Sequence, residues 1–258
     1  MGIIRNIAKN ILPHYIVKKY QIYKAEQNIA KMPDIDDDGF EKINGAYIFS
    51  PQKSDIAFRD LYSKIQEYTL LGEIKSYALW QIVKEASKLN EGAFIEVGVW
   101  RGGSGALIAK QAEINGITDN IYLCDTFTGV VKSGKNDTFY ENGEHSDTSK
   151  EIVEQLLKEY DIHNVKLAVG IFPDETSEFI TDKKFRFAHI DVDVYESTKN
   201  IFDWIWQKMV VGGIILIDDY GFYRCNGITK FVNDERGKKD RIVFNNSDGQ
   251  AVFIKINE

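Results

Sequence analysis

Two pairs of aspartates have the residue types and spacing best suited to chemistry. Asp191 and Asp193 close one apolar, strand-like run, and Asp218 and Asp219 close another. If these runs are neighbouring parallel strands, about 4.8 Å apart, their ends place three or four carboxylates in one small space. Such a cluster is costly unless a cation or a proton lies between the groups. Hard oxygen ligands suit Mg²⁺, Mn²⁺ or Ca²⁺ better than zinc. The sequence therefore predicts metal-assisted chemistry at the mouth of an α/β sheet.

A glycine-rich segment, Glu96–Gly105, follows another predicted strand and opens a helix. The NAD fingerprint is absent, because Trp100 stands where its second glycine belongs, and no Lys-Ser/Thr pair follows to make a phosphate loop. An acidic strand end followed by Gly98 and Gly102 fits a nucleoside without a pyrophosphate. The alternative is a tight strand–helix turn that binds no ligand.

Asp125 ends the next predicted strand, about 20 residues past the glycine loop, where such folds use a carboxylate to bind a ribose diol. A structural cap is the alternative for this residue. His189 is interpreted as a core histidine more readily than as a ligand. His145 lies in a polar connection that could close over substrate or stay solvated. Cys225 is interpreted as structural.

The fold that must position these residues is predicted from alternating apolar runs and helical patterns. Five parallel strands and a terminal hairpin indicate an α/β, doubly wound, Rossmann-like, mostly parallel seven-stranded sheet with a C-terminal antiparallel hairpin. The predicted strands are Ala93–Val97, Ile121–Asp125, Val165–Val169, Phe185–Asp191, Gly213–Asp218, Arg241–Asn245 and Ala251–Lys255. Helices are predicted to begin near Gly103, Thr148, Glu175 and Ser197, with Thr148 and Glu151 forming a capping box. No element is assigned between residues 219 and 240.

The chain divides near residue 75 into a helical segment (1–75), for lid, substrate or oligomer contacts, and a domain (76–258). Through residue 24 the charges are all basic, which indicates either a membrane-surface helix or a helix packed on its own domain or on a partner subunit. Residues 34–39 resemble half of an EF-hand loop, but Gly45 stands where the loop needs a glutamate, so an acidic turn is favoured. Residues 128–147 are expected to be a lid or disordered.

Composition excludes several classes of protein. The 258 residues carry a net charge of −7, which argues against binding of nucleic acid. The two cysteines, Cys124 and Cys225, indicate reduced thiols and a cytoplasmic location. No signal peptide and no transmembrane run is visible, so any membrane contact is expected to be peripheral, through residues 1–24. The apolar surface of the N-terminal helices favours a homo-oligomer.

Taken together, four motifs resemble the macrocin O-methyltransferase (TylF/MycF/NovP-like) family over roughly residues 65–255. They are Glu96–Gly105, Asp125–Gly129, His189–Thr198 and Gly212–Gly221, in the order and spacing of the family. The resemblance implies a class I methyltransferase that uses S-adenosylmethionine and Mg²⁺ (or Mn²⁺) to methylate a sugar hydroxyl.

The resemblance also implies roles for individual residues. The implied metal ligands are Asp191, Asp218 and Asp219, and Asp193 is the implied general base. The residues expected around the cofactor are Glu96, Gly98, Gly102, Ser104, Asp125, Thr126 and Asp191, with Tyr68 and Thr69 at its methionine end. One departure is Thr128, which replaces a glutamate that family members often carry.

A vicinal diol is the expected acceptor feature, because two adjacent hydroxyls can chelate the metal. The sugar would belong to a glycosylated natural product or a surface polysaccharide precursor, free or carrier-linked. One alternative is a glycosyltransferase that uses a nucleotide sugar, since Asp191-Val192-Asp193 is also a D-x-D sequence. Another is a non-enzymatic module that binds membranes through its basic N-terminal helix.

Overall fold

The structure is a computed structural model and describes residues 49–257. Six α-helices lie in this part of the chain: α1 (Ile56–Ile65), α2 (Glu73–Ala86), α3 (Gly103–Ile114), α4 (Lys150–Glu159), α5 (Tyr195–Trp206) and α6 (Asn226–Glu235). Seven strands accompany them: β1 (Ala93–Val97), β2 (Ile121–Asp125), β3 (Val165–Val169), β4 (Phe185–Ile190), β5 (Met209–Ile217), β6 (Arg241–Asn245) and β7 (Ala251–Lys255).

The strands form one sheet in the order β3-β2-β1-β4-β5-β7-β6. Strands β1 to β5 are parallel, whereas β7 runs antiparallel to both β5 and β6. The predicted seven-stranded, mostly parallel sheet with a C-terminal antiparallel hairpin is therefore confirmed. The order reverses between β1 and β4, and such a reversal opens a crevice at the carboxyl ends of the strands, where α/β folds bind ligands.

Alternating side chains of each central strand enter two separate cores, because both faces of a parallel sheet are covered by helices. Phe94 packs against the helices α1 to α4, whereas its neighbour Ile95 packs toward α5 and α6. In the neighbouring strand β4, Phe187 enters the same core as Phe94, and Ala188 enters the same core as Ile95. Because side chains alternate along a strand, Asp218 lies on the same face as Leu216, which is the face covered by α2.

Two predicted helix starts are corrected. Helix α4 begins one residue later than predicted, with Ser149 rather than Thr148 as its cap, and the Ser149 hydroxyl accepts from the Ile152 amide at 3.4 Å. No α-helix begins near Glu175, where only a 3₁₀ turn, Ser177–Phe179, forms. The Glu175 carboxylate accepts the Ile171 amide at 2.8 Å, and such local side-chain bonds compete with helix formation.

Other differences concern positions and one missed element. Helix α5 begins at Tyr195, two residues before the predicted Ser197, and β5 begins at Met209, four residues before Gly213. Helix α6 was not predicted at all. The signal was the spacing of Ile228, Phe231 and Val232, which the structure buries on one face of the sheet.

Residue 75, near which the sequence analysis divides the chain, lies inside α2. The basic stretch 1–24 and the acidic turn 34–39 lie outside the described residues. Residues 128–147 contain no helix or strand, yet hydrogen bonds tie them to neighbouring helices: the Asp137 carboxylate accepts the Tyr195 amide at 2.9 Å, and the Asn226 side chain accepts the Thr138 amide at 3.1 Å. Between residues 49 and 257, no helix has the length and apolar character to cross a membrane.

Candidate active site

The two predicted aspartate pairs meet because the register of the central strands aligns their ends. Ile190 of β4 pairs with Ile217 of β5, and the ladder continues one residue further, where the Asp218 amide donates to the Ile190 carbonyl at 3.0 Å. Asp191, Asp218 and Asp219 then each offer an oxygen atom, and these atoms lie within 4.8 Å of one another. The structure thus brings together the three predicted metal ligands.

Electrostatics in this cluster disfavour four simultaneous negative charges. Burial, together with Asp218 and Asp219, raises the pKa of Asp191 well above its ordinary value. Burial and Asp219 also raise the pKa of Asp218. For Asp193, burial and then Asp219 raise the pKa to about 8. Because each shift opposes ionisation, the cluster is built for a compensating positive charge.

Lys75 of α2 supplies such a charge and was missed by the sequence analysis. Its Nζ lies 2.9 Å from Asp218 Oδ2 and 3.0 Å from Asp219 Oδ1. Burial lowers the pKa of Lys75, but the attraction of Asp218 and Asp219 outweighs it, so the net pKa is raised and the ammonium stays charged. The other oxygen of Asp218, Oδ1, is buried without a hydrogen-bond partner.

Asp193, the predicted general base, lies beside the same cluster. Its Oδ1 is 3.7 Å from the Cys225 sulfur, which is also 3.7 Å from Asp219 Oδ2. Cys225 is buried and uncharged, because burial and then Asp219 raise the pKa of its thiol. Burial and then Asp193 raise the pKa of Tyr140, which keeps its phenol protonated. Cys225 and Tyr140 are thus additional residues of the site.

The glycine loop follows β1 on the other side of the strand-order reversal. Gly98 has φ +90°, and a Cβ there would lie 1.8 Å from the Asp191 carbonyl oxygen, so only glycine permits this approach of the loop to β4. Gly102 has φ +93° and caps α3, whose first turn includes the buried Ser104. The Gly103 amide donates to the Tyr68 carbonyl at 2.9 Å. Thr69 lies next to Gly103 as well, so both residues predicted at the methionine end of the cofactor contact the loop.

Asp125 fixes the shape of this loop. Its Oδ2 accepts the amides of Val99 at 2.6 Å and Trp100 at 2.9 Å, and its Oδ1 accepts the Phe127 amide at 2.7 Å. The neighbouring Thr126 hydroxyl donates to the Gly129 carbonyl at 3.1 Å. Asp125 therefore has the structural capping role that was the alternative to ribose binding, and one carboxylate can do both.

Glu96 and His189 form a buried pair beneath the loop. Glu96 Oε1 lies 2.8 Å from His189 Nδ1, and neither side chain is exposed. The remaining atoms, Glu96 Oε2 and His189 Nε2, have no protein partner. The pair confirms His189 as a core residue, and it places the predicted cofactor ligand Glu96 in the buried interior, with Oε2 beside Gly105 of the glycine loop.

The end of the 128–147 connection docks onto the glycine loop. The Asp147 carboxylate accepts from Trp100 Nε1 at 2.9 Å and from the Arg101 guanidinium at 2.8 Å. The same loop places His145 Nε2 3.4 Å from the Tyr140 hydroxyl. This contact brings His145 next to Tyr140, which adjoins Asp193, so the connection forms one wall of the crevice.

Strained backbone marks the carboxyl ends of four strands. Trp100, Phe127, Asp193 and Asp219 follow β1, β2, β4 and β5, and all have positive φ, from 49° to 65°. A left-handed conformation costs a non-glycine residue about 1–2 kcal/mol. Strain of this kind concentrates at functional sites, where the surrounding structure enforces it.

The residues present fit the two groups that the sequence predicts. Three carboxylates with a free buried oxygen at Asp218 form an all-oxygen set suited to Mg²⁺ or Mn²⁺. The turn between Gly98 and Gly102 presents backbone at a helix N-terminus beside Asp125, an arrangement suited to a nucleoside. The two sites are adjacent, because Gly98 abuts Asp191.

Comparison with known proteins agrees with this geometry. The model of the macrocin O-methyltransferase family (TylF) matches residues 57–255. The chain is 26% identical over 184 residues to the demethyldecarbamoylnovobiocin O-methyltransferase of Streptomyces niveus, covering 67% of this chain and 69% of that protein.

A second relative is the 8-demethyl-8-(2,3-dimethoxy-alpha-L-rhamnosyl)-tetracenomycin-C 4'-O-methyltransferase of Streptomyces olivaceus, 26% identical over 172 residues, which are 63% of this chain and 65% of that protein. Among solved structures, the O-methyltransferase NovP superposes with a TM-score of 0.65 at 21% identity, over 81% of this chain and all of that one (100%). The NovP match confirms the fold.

Proposed function

We propose metal-assisted methylation of a sugar hydroxyl for this chain, which belongs to the macrocin O-methyltransferase family and is an S-adenosylmethionine-dependent O-methyltransferase. Family membership favours this function over the alternatives of a glycosyltransferase and a membrane-binding module. The observation that carries the proposal is the position of Asp191, which shares an oxygen cluster with Asp218 and Asp219 and abuts Gly98 of the glycine loop.

Two bound groups supply the chemistry that protein side chains lack. S-adenosylmethionine supplies a methyl group activated by a sulfonium. A divalent metal held by Asp191, Asp218 and Asp219 would lower the pKa of an acceptor hydroxyl. In the proposed cofactor site, Asp125 shapes the turn and remains available to a ribose, while Gly98 and Gly102 leave the backbone open.

Asp193 is the proposed general base. It lies beside Asp219, and burial and then Asp219 raise its pKa; a divalent metal on Asp219 would offset that repulsion and favour the ionised carboxylate, which is the form that accepts a proton. Tyr140 and Cys225 stay protonated next to it, so neither competes for the proton. The remaining contribution of the chain is positioning: Asp147 holds the wall of the crevice against the loop.

The proposed acceptor is a vicinal diol of a sugar. The name of the Streptomyces olivaceus relative specifies a rhamnosyl group, and three clustered carboxylates match a metal that two adjacent hydroxyls can chelate. We extend this proposal to sugars of a natural product or of a surface polysaccharide precursor. The free, buried thiols of Cys124 and Cys225 support the predicted cytoplasmic location. Homo-oligomerisation and the contacts of residues 1–75 stay predictions.

Calorimetry and a transfer assay test the proposal. S-adenosylhomocysteine is titrated into the protein, with NAD and UDP-glucose as controls, and is expected to be the one ligand that binds. Methyl transfer is then measured with methyl glycosides that carry vicinal diols, with and without Mg²⁺. Asp191→Asn should lose turnover and Mn²⁺ binding while its fold is retained. Full turnover of this variant, or turnover unaffected by chelation, would refute the metal role.

A further inference from the structure

Lys75 occupies the position at which the proposed metal site needs positive charge. Its Nζ contacts two of the three proposed ligands, at 2.9 Å from Asp218 and 3.0 Å from Asp219. Among the described residues, Lys75 is the only cationic side chain that forms an ion pair with the cluster of Asp191, Asp193, Asp218 and Asp219. One ammonium cannot neutralise four carboxylates if all of them are ionised.

The ammonium and a divalent cation would bind the same acidic groups. An ammonium forms hydrogen bonds at about 2.9 Å, whereas Mg²⁺ binds carboxylate oxygen at about 2.1 Å. A metal at Asp218 and Asp219 therefore meets a cation already bound to both residues. A divalent ion carries twice the charge of Lys75, and it also engages Asp191, to which Lys75 forms no hydrogen bond.

The surroundings of Lys75 permit it to leave while the ligands stay. The Asp218 side chain is 3% exposed, whereas the Lys75 side chain is 22% exposed. Lys75 reaches the cluster through a flexible four-carbon stem. Its helix α2 is fixed on the sheet by buried residues such as Leu79 and Val83. Withdrawal of the ammonium thus requires rotation of one side chain and no movement of the helix.

We propose that Lys75 is a placeholder cation, which neutralises Asp218 and Asp219 in the metal-free protein and must withdraw before a divalent metal binds. The inference rests on the proposed function, because it takes these carboxylates as the metal site. Lys75 then lowers the apparent affinity for the metal, because metal binding must break its two charge-assisted hydrogen bonds to Asp218 and Asp219. The opposite arrangement, in which Lys75 stays and orients the carboxylates for the metal, predicts the opposite effect of its removal.

The test is Mn²⁺ binding to the full chain, measured by calorimetry and by the electron paramagnetic resonance signal of free Mn²⁺. Lys75→Met removes the charge at similar length and helix propensity. We expect this variant to bind Mn²⁺ about tenfold or more tightly than the wild type, since two charged hydrogen bonds no longer have to break. Lys84→Met, an exposed position on the same helix, is the matched control and should bind Mn²⁺ like the wild type.

Stability gives a second readout. Metal-free Lys75→Met should unfold at a lower temperature than the wild type, because its carboxylates have lost their cation, and saturating Mn²⁺ should raise its Tm by more than it raises that of the wild type. If Lys75→Met does not fold without metal, Lys75→Gln keeps a hydrogen-bond donor and is expected to show the same sign with a smaller gain in affinity.

The outcomes separate this inference from the proposed function. Unchanged or weaker Mn²⁺ binding by both charge-removing variants overturns the placeholder role of Lys75. If the wild type also binds S-adenosylhomocysteine, the failure of the Lys75 inference does not affect the proposed methyltransferase function. Absence of Mn²⁺ binding in the wild type and in all variants overturns both the role of Lys75 and the metal site. Failure to bind S-adenosylhomocysteine would count against the proposed function itself.

Discussion

Replacing Asp125 by asparagine tests how its capping of the glycine loop relates to its proposed role in binding a ribose. Its carboxylate accepts three backbone amides, from Val99, Trp100 and Phe127, at 2.6–2.9 Å. If Asp125 served only to bind a ribose, the cofactor-free protein would be indifferent to the change. Because the three bonds join Asp125 to the protein's own backbone and involve no ligand atom, we expect Asp125→Asn to destabilise the protein before any ligand is added.

The magnitude follows from the hydrogen bonds. In the variant, the remaining oxygen can still accept from Val99 and Trp100, but without the negative charge each bond weakens by about 1 kcal/mol. The amide group then faces the Phe127 N–H, donor against donor, which costs about 1–3 kcal/mol. Asp125 is partly buried, so water recovers only part of the loss. The expected decrease in the free energy of unfolding is about 2–4 kcal/mol.

Urea denaturation of the cofactor-free protein measures this decrease, and calorimetry with S-adenosylhomocysteine measures the accompanying loss of affinity. Asp203→Asn is a suitable control, because Asp203 forms an exposed pair with Lys199 at 2.6 Å that should contribute about 0.5 kcal/mol or less. An Asp125→Asn variant that binds the ligand poorly but unfolds within about 0.5 kcal/mol of the wild type would refute the capping argument and leave only ribose binding.

Three further predictions concern the loop, the crevice wall and the core. Gly98→Ala places a methyl group 1.8 Å from the Asp191 carbonyl oxygen at φ +90°, so denaturation should show a loss of about 2–4 kcal/mol, and a wild-type transition would contradict this. Asp147→Asn weakens the bonds to Trp100 Nε1 and Arg101, and should speed hydrogen exchange in residues 128–147; unchanged exchange would show that Asp147 does not hold the wall. Lys255→Met breaks two buried hydrogen bonds to backbone carbonyls, so denaturation should show a loss of about 1–3 kcal/mol in the free energy of unfolding. Affinity for S-adenosylhomocysteine should not change. A variant as stable as the wild type would show that these bonds do not stabilise the core.

The sheet was predictable because each central strand is a short apolar run with an abrupt polar boundary. The bounds of β1, β2, β3, β6 and β7 agree with the prediction to the residue. Helix α6 was missed because its apolar residues Ile228, Phe231 and Val232 are separated by polar ones and follow a loop with no capping residue. The helix expected near Glu175 failed because that side chain bonds to the backbone of Ile171 instead.

Some features of the candidate site can be predicted from short sequence patterns, whereas others depend on contacts that form only in the folded chain. The strand-end acids could be found from the sequence, since parallel strands bring successive carboxyl ends to one edge of the sheet. The sequence could not distinguish capping from ribose binding at Asp125, because the distinction depends on which amides the folded loop directs toward the carboxylate. Cys225 was interpreted as structural for a related reason: only the path of the chain after β5 places its sulfur between Asp193 and Asp219.

The sequence by itself determined the fold class, the order of the glycine loop and the acidic strand ends, and the type of chemistry proposed for those groups. These properties depend on short patterns, in which hydrophobic periodicity selects the strand and the next few residues select the ligand type. The tertiary structure alone decided which residues complete the site. Lys75 lies 143 residues before Asp218, and Glu96 lies 93 residues before His189, so no local pattern connects either pair. Such contacts arise only when the packing of α2 on the sheet and the register of the strands are set by the whole core.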